Sequence, residues 1–342
     1  MLAAVPAHRR ADPSPPESFA SRIRARAAEL SFDAVGFADA TLPLNEDYAR
    51  FRDFLDRGMH GDMAYLAEHG DARRALDTEA ILAGARTVVC LARRYDRGEV
   101  EAEDPPLAQL VARYARGRDY HTFLKKRLRQ LAAFVRELAP GTEARALCDT
   151  APVLERAWAV RAGLGFVGKN GMLIVPGQGS YCLLGEVVTT LALPRHALGA
   201  PMGERCGSCT ACLDACPTDA FVEPFVLDPR RCVSYATIEA RSDPPEALHG
   251  AMGAHLFGCD DCQDVCPYNR LPPPPQAATR PFEPHALFEE LTLGDLAQLD
   301  EARWRGLTGT PIRRATRAGL VRNARLVMAA RRATEEAGGE DP

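Results

Sequence analysis

Cys206, Cys209, Cys212 and Cys216 are spaced C-x2-C-x2-C-x3-C, and Pro217 follows the fourth. Such spacing lets three thiolates converge on one iron–sulfur cubane while the fourth turns toward a second cluster. A second run, Cys259, Cys262 and Cys266 followed by Pro267, keeps the x2 and x3 intervals but has Leu256 where a first cysteine is expected. Cys232, upstream, is the natural substitute, and the eight thiols then suffice for two [4Fe–4S] clusters. If the last thiol of each run crosses over, Cys206, Cys209, Cys212 and Cys266 hold one cluster. Cys216, Cys232, Cys259 and Cys262 hold the other. Zinc is the competing assignment, but zinc sites favour paired C-x2-C knuckles over a triple run closed by Cys-Pro. Cys90, Cys148 and Cys182 lie in apolar segments and read as core thiols.

Clusters of this kind move single electrons and choose no substrate, so the acceptor must come from the rest of the chain. "GLGFVGKNG" matches G-x-G-x-x-G by letter at Gly163, Gly165 and Gly168. It follows a helical segment and opens none, which argues against a dinucleotide fold. Its backbone, with Lys169 and Asn170, could approach another flat, polar-edged cofactor. Asp149 stands at the end of the apolar segment "ARALCDT", just before a helical pattern with Pro152 in its first turn. It can be a general acid on a rigid mount, with burial raising its pKa, or simply the cap of that helix.

The elements that must position these groups are legible as pattern. Apolar residues at helical spacing predict helices over 18–30, 46–57, 119–138 and from Pro152. β-branched and apolar runs predict strands over 32–40, 85–95, 144–150, 171–175 and 181–191. Helices alternate with strands to residue 191, so an α/β domain is expected over 18–200. A cysteine-rich domain over 201–270 follows, then a linker containing "LPPPPQAATRP" and helices over 271–335. Residues 1–17 read as a disordered leader and 336–342 as a disordered tail.

At net charge −4 the whole molecule does not advertise nucleic-acid binding. Its distribution does: residues 303–332 carry nine arginines and no Asp or Glu. Arg313, Arg314, Arg317 and Arg322, close together in that stretch, are expected to track phosphates. The basic face of the 119–138 helix, Lys125 to Arg129, is a weaker candidate. No stretch is long and apolar enough to span a bilayer. Eleven cysteines without an export signal suit a reducing cytoplasm, where clustered thiols bind metal.

"CDTAPVLERAWAVRAGLGFVGKNGMLI" (148–174), "YARGRDYHTFLKKRL" (114–128), "CVSYATIE" (232–239) and the eight-cysteine arrangement resemble the epoxyqueuosine reductase family, from about residue 18 to 330. That family is a cobalamin-dependent relative of the reductive dehalogenases. The resemblance implies a nitroreductase-like α/β cobalamin-binding domain, a ferredoxin-like two-cluster domain and a C-terminal α-helical region. It also implies a reaction: reduction of epoxyqueuosine to queuosine at the wobble position of tRNA, with Asp149 as proton donor. Asp119, Tyr120 and His121 begin like the D-x-H-x-x-G motif that supplies cobalt with a lower histidine, but Leu124 replaces the Gly. The resemblance implies base-off cobalamin without a histidine ligand. His121 is then either a pocket residue or a polar helix start, and Tyr114, Lys169, Asn170 and Ser234 are expected among the cobalamin contacts. A monomer served by a reductase or a flavodoxin- or ferredoxin-type electron donor is the expected assembly. The alternatives are a reductive dehalogenase of a small organohalide and a ferredoxin-type electron carrier.

Overall fold

The computed structural model describes residues 18–272 and 280–338; the leader 1–17, most of the Pro-rich linker and residues 339–342 of the tail lie outside them. Eight strands are present among the described residues. They are β1 (Ala34–Asp39), β2 (Thr87–Arg94), β3 (Ala144–Leu147), β4 (Phe166–Val167), β5 (Leu173–Ile174), β6 (Cys182–Thr189), β7 (Phe221–Glu223) and β8 (Val226–Leu227). Four form the main sheet in the order β1-β2-β6-β3, antiparallel at each ladder.

Every residue of β2 is buried, which requires cover on both faces of the sheet. Side chains alternate across a strand, so Val89 and Leu91 enter one core and Val88, Cys90 and Ala92 the other. The first core is closed by the helices Phe19–Glu29 and Tyr120–Leu138. Leu124, Leu128, Leu131 and Val135 recur at helical spacing on the second of these. Trp158 and Ala159, from the helix Glu155–Arg161, close the second core. The result is the layered mixed α/β architecture that the alternation of patterns predicts.

A third core joins the sequence segments to one another. Leu256 and Phe257 are fully buried beside Leu107, Val111, Leu320 and Ala324. Leu256 N–H donates to Leu110 O (2.7 Å) and Ala112 N–H to Phe257 O (2.8 Å), so the cysteine region is stitched to the segment before the Tyr120–Leu138 helix. Asn323, on the helix Thr316–Gly338, is also fully buried; its Nδ2 donates to Thr237 O (2.8 Å) and Leu256 O (3.0 Å). Leu256 therefore occupies a core position, which explains why the second cysteine run does not begin there.

Candidate active site

β3 ends at Leu147, and two residues later Asp149 has φ +49°, in the left-handed region that non-glycine residues rarely enter. Thr150 N–H donates to Cys148 O (2.5 Å), which folds the chain sharply around Asp149. The helix expected from Pro152 begins instead at Glu155, because the chain needs three more residues to leave this turn. Asp149 does not cap it. Its Oδ2 accepts from Tyr120 Oη–H (2.9 Å) and from His121 Nε2 (2.8 Å), the first two residues of the long helix.

His121 Nδ1 meets Asp119 Oδ1 at 2.7 Å, so both ring nitrogens face carboxylates. Carboxylates accept, hence both nitrogens donate and the ring is an imidazolium. Asp119 and Asp149 push its pKa up to about 9. His121 in turn holds Asp149 below the usual carboxylate range, against the opposing effect of burial and with help from the Tyr120 hydroxyl. Burial was expected to raise Asp149; the two donors outweigh it, and the side chain keeps 53% of its surface exposed. With its folded pKa raised, His121 contributes stability that is fully present below about pH 6.5 and lost as pH rises through about 9. For Asp149, whose pKa is depressed, the contribution is present above the usual carboxylate range and lost as pH falls through its lowered value.

Arg314 lies at this site. It pairs with Glu239 through two hydrogen bonds (2.8 and 3.0 Å), sits 5.3 Å above the Tyr65 ring and is close enough to help lower Asp149. Tyr114 packs edge-on to Tyr120, with ring centroids 6.1 Å apart, and so buttresses that hydroxyl. Ser234 sits half-buried on the helix Val233–Ile238, its carbonyl accepting from Thr237 Oγ1 (3.2 Å). Lys169 and Asn170, expected against a flat cofactor, bond to the cysteine loops. Lys169 Nζ donates to Gly207 O (2.6 Å) and Cys209 O (2.9 Å), and Asn170 Nδ2 to Cys262 O (3.3 Å). The glycines of that loop meet their own chain: a Cβ on Gly165 would lie 2.2 Å from Ile174 O. They allow close packing of protein on protein.

All eleven cysteines are free thiols. Burial raises Cys206, Cys212 and Cys266, and mutual charge raises them further: Cys212 feels Cys206, Cys209 and Cys266, and Cys266 feels Cys209. Burial likewise raises Cys232, Cys259 and Cys262, with Cys216 acting on Cys232 and with Cys232 acting on both Cys259 and Cys262. Thiols from the separate runs thus lie close to one another: Cys266 acts on Cys206 and Cys212 and feels Cys209, and Cys216 acts on Cys232 and Cys262. Cys262 also feels Cys212. Soft thiols, free and clustered, fit iron–sulfur clusters. Cobalamin fits on one ground, and His121, with both ring nitrogens bonded to carboxylates, would not be a ligand to its metal. His60 Nδ1 is buried without a hydrogen-bond partner, on the loop that carries Tyr65 toward Asp149, and a bound polar group can satisfy it.

The remaining arginines differ from one another. Arg313 stacks 4.6 Å from the Trp304 ring and donates to Thr308 Oγ1 (2.6 Å), and Arg317 donates to Leu299 O (2.9 Å). Arg322 is half-buried and donates to Ala236 O (2.7 Å), Ser242 O (2.7 Å) and Ala240 O (3.2 Å), a clamp on the cysteine region. Acids absent from the arginine-rich stretch are supplied from outside it, by Glu239, Asp295 and Glu301. Tyr65, Tyr120, Glu155 and Glu239 were not singled out from the sequence, although Tyr120 adjoins His121 and Glu155 lies in "APVLER". Their side-chain types carry no spacing signal; only the fold brings them to Asp149.

Residues 205–269 match the family model described as 4Fe-4S double cluster binding domain, and residues 75–150 match epoxyqueuosine reductase QueG, DUF1730. The chain is 41% identical over 315 residues to the epoxyqueuosine reductase of Gloeobacter violaceus, covering 91% of this chain and 96% of that one. It is 39% identical to that of Pseudomonas aeruginosa, covering 91% and 85%. A crystal structure of epoxyqueuosine reductase with a tRNA-Tyr epoxyqueuosine-modified tRNA stem loop superposes with a TM-score of 0.81 at 27% identity, covering 90% of this chain and 80% of that one. A Bacillus subtilis epoxyqueuosine reductase, solved with its catalytic aspartate loop swung out of the active site, superposes at 0.79 with 26% identity, covering 94% and 85%. With sequence similarity over nine-tenths of the chain and this fold beneath it, the protein belongs to the epoxyqueuosine reductase family.

Proposed function

We propose that this chain reduces epoxyqueuosine to queuosine at the wobble position of tRNA, and that the Asp149–His121–Tyr120 constellation beside two cysteine quartets carries the reaction. The first quartet, Cys206, Cys209, Cys212 and Cys266, would hold one [4Fe–4S] cluster, and Cys216, Cys232, Cys259 and Cys262 the other. When bound, cobalamin would supply reducing cobalt chemistry for the epoxide, with electrons delivered singly from the clusters. The side chains supply the rest. His121 stores a proton at Nε2 against Asp149 Oδ2, and the bonded pair presents it to the oxygen released from carbon. Tyr120 holds Asp149 from the other side, and Asp119 keeps the imidazole charged. Tyr65 and Arg314 flank the pair and suit a flat base drawn out of a single-stranded anticodon loop, by stacking and by charge.

Conversion of epoxyqueuosine-tRNA to queuosine-tRNA by protein reconstituted with iron, sulfide and cobalamin tests the proposal; cobalamin binding without conversion would sink it. The alkaline limb of the kcat profile is expected to fall with a midpoint near the His121 value of about 9. His121→Gln should remove that limb and lower kcat about 10²-fold, within the usual range for acid–base groups.

Arg313 and Arg317 are the better phosphate contacts in this proposal, since Arg314 serves the site mouth and Arg322 the fold. Arg313→Ala and Arg317→Ala should weaken tRNA binding and flatten its salt dependence, measured by titration at several salt concentrations. Arg322→Ala should instead lower the melting temperature, because losing its hydrogen bonds to three carbonyls removes about 1–3 kcal/mol. No helix among the described residues is long and apolar enough to cross a membrane. In this proposal the enzyme works in the cytoplasm as a monomer, with a reductase or a flavodoxin- or ferredoxin-type protein as electron donor.

A further inference from the structure

Asp149 has a third partner, on its backbone. Glu155 Oε1 accepts from Asp149 N–H at 2.7 Å, reaching back from the first turn of its helix across the whole turn. Glu155 in turn lies against Glu186, a carboxyl 1% exposed on the central strand β6, close enough for each to act on the other's charge. Glu186 pairs in register with Leu147, the last residue of β3, directly beneath the turn, and with Cys90 of β2 on its other side. Two acids packed so closely cannot both ionise, since like charges and burial each favour a proton between them. Burial and mutual charge raise both, so the pair shares a proton while Glu155 Oε1 accepts from the amide.

Nothing in the proton transfer described above uses this pair. Its cost is nevertheless substantial: a carboxyl buried in the middle of a sheet displaces apolar packing. What the pair accomplishes is local. The Asp149 turn has positive φ on a residue with a Cβ, a conformation that persists only when its surroundings over-determine it. The side-chain bonds from Tyr120 and His121 act on Oδ2 and leave the backbone free to rotate. The Glu155 bond acts on the backbone itself, and Glu186 anchors it to the most rigid element of the fold.

We propose that Glu155, anchored by Glu186, is a positioning residue that latches the strained Asp149 turn and so keeps the carboxylate aimed into the site. This rests on Asp149 acting as proposed above, but the latch has its own physical readout. In Glu155→Ala, hydrogen–deuterium exchange in peptides spanning 146–152 should quicken. The kcat for epoxyqueuosine-tRNA should fall about tenfold to hundredfold, as expected for a misplaced acid, while KM stays within twofold. Glu155→Gln retains an oxygen acceptor at the same reach, and should restore slow exchange and most of kcat. The proposal is overturned if Glu155→Ala exchanges like the wild type, whatever its kcat, or if Glu155→Gln is no better than Glu155→Ala in both measurements. Wild-type protein that shows slow exchange but no turnover of epoxyqueuosine-tRNA would instead remove the reaction and leave the latch standing.

Discussion

Asp149→Asn is expected to lower turnover by about 10³-fold, in the middle of the range for a lost acid–base group. The amide keeps the shape of the carboxylate and can still accept from Tyr120 through its oxygen, so the turn and the cysteine quartets should survive. It cannot share a proton with His121. The imidazole then loses one of the two carboxylates that raise its pKa, which should drop from about 9 toward the ordinary histidine value. Three measurements separate this from simple damage: KM for the tRNA, the cluster absorbance, and the His121 titration followed by NMR. Unchanged KM and absorbance with a lowered His121 titration and lost kcat is the expected set. Retained turnover would remove Asp149 from the proton transfer and leave His121 to act alone. Because Asp149 and His121 share one proton, the double variant with His121→Gln should be little worse than Asp149→Asn, a non-additivity that independent residues would not show.

Cys266→Ala carries the second large effect, and it discriminates between two ways of wiring the cysteines. By sequence proximity it belongs with Cys259 and Cys262; in the fold it is close to Cys209 and acts on Cys206 and Cys212. The expected loss is therefore the cluster of the first run, with iron content after reconstitution falling by about half. Cys232→Ala should remove the other cluster, the one it would share with Cys216, Cys259 and Cys262. Either variant should leave no measurable turnover, since an electron path broken at one cluster has no alternative among these thiols. If a selective spectroscopic signature places the Cys266→Ala lesion with Cys259 and Cys262, the crossed assignment is wrong.

Much of this was legible before any fold was known, because some groups announce themselves by spacing. Thiols at x2 and x3 intervals have one common use, so the cysteine runs and the substitution of Cys232 for a missing member could be read directly. Periodicity likewise marked the strand that delivers Asp149 and the long helix that begins at Tyr120, since an alternating or a helical stripe of apolar residues must be buried on one side. The start of the next helix was misjudged by three residues. Pro152 is a good first-turn residue, but the turn around Asp149 takes the chain past it.

Other assignments had no such handle. Lys169 and Asn170 follow a Gly-rich stretch, and only the fold shows that their protein partners are carbonyls some 40 to 90 residues away. The arginine stretch has no acids of its own, and the structure sends Arg314 to Glu239 and Arg322 to a set of carbonyls. Glu155 and Glu186 are ordinary letters in the sequence. Their carboxyls meet only because β6 lies beside β3 and the helix after it folds back over that edge.

By itself, then, the sequence determined what kinds of chemistry are present: eight thiols for iron and sulfur, one aspartate at the end of a buried strand, a concentration of positive charge near residue 320. Local patterning encodes these because ligand spacing and apolar periodicity are properties of adjacent residues. The three-dimensional fold alone shows that thiols of separate runs lie close together, that His121 lowers Asp149 against the effect of burial, and that two buried acids stand behind its backbone. Those depend on distances between segments remote in the chain, and hydrogen bonding and charge interaction act through space, with strengths set by separation and burial.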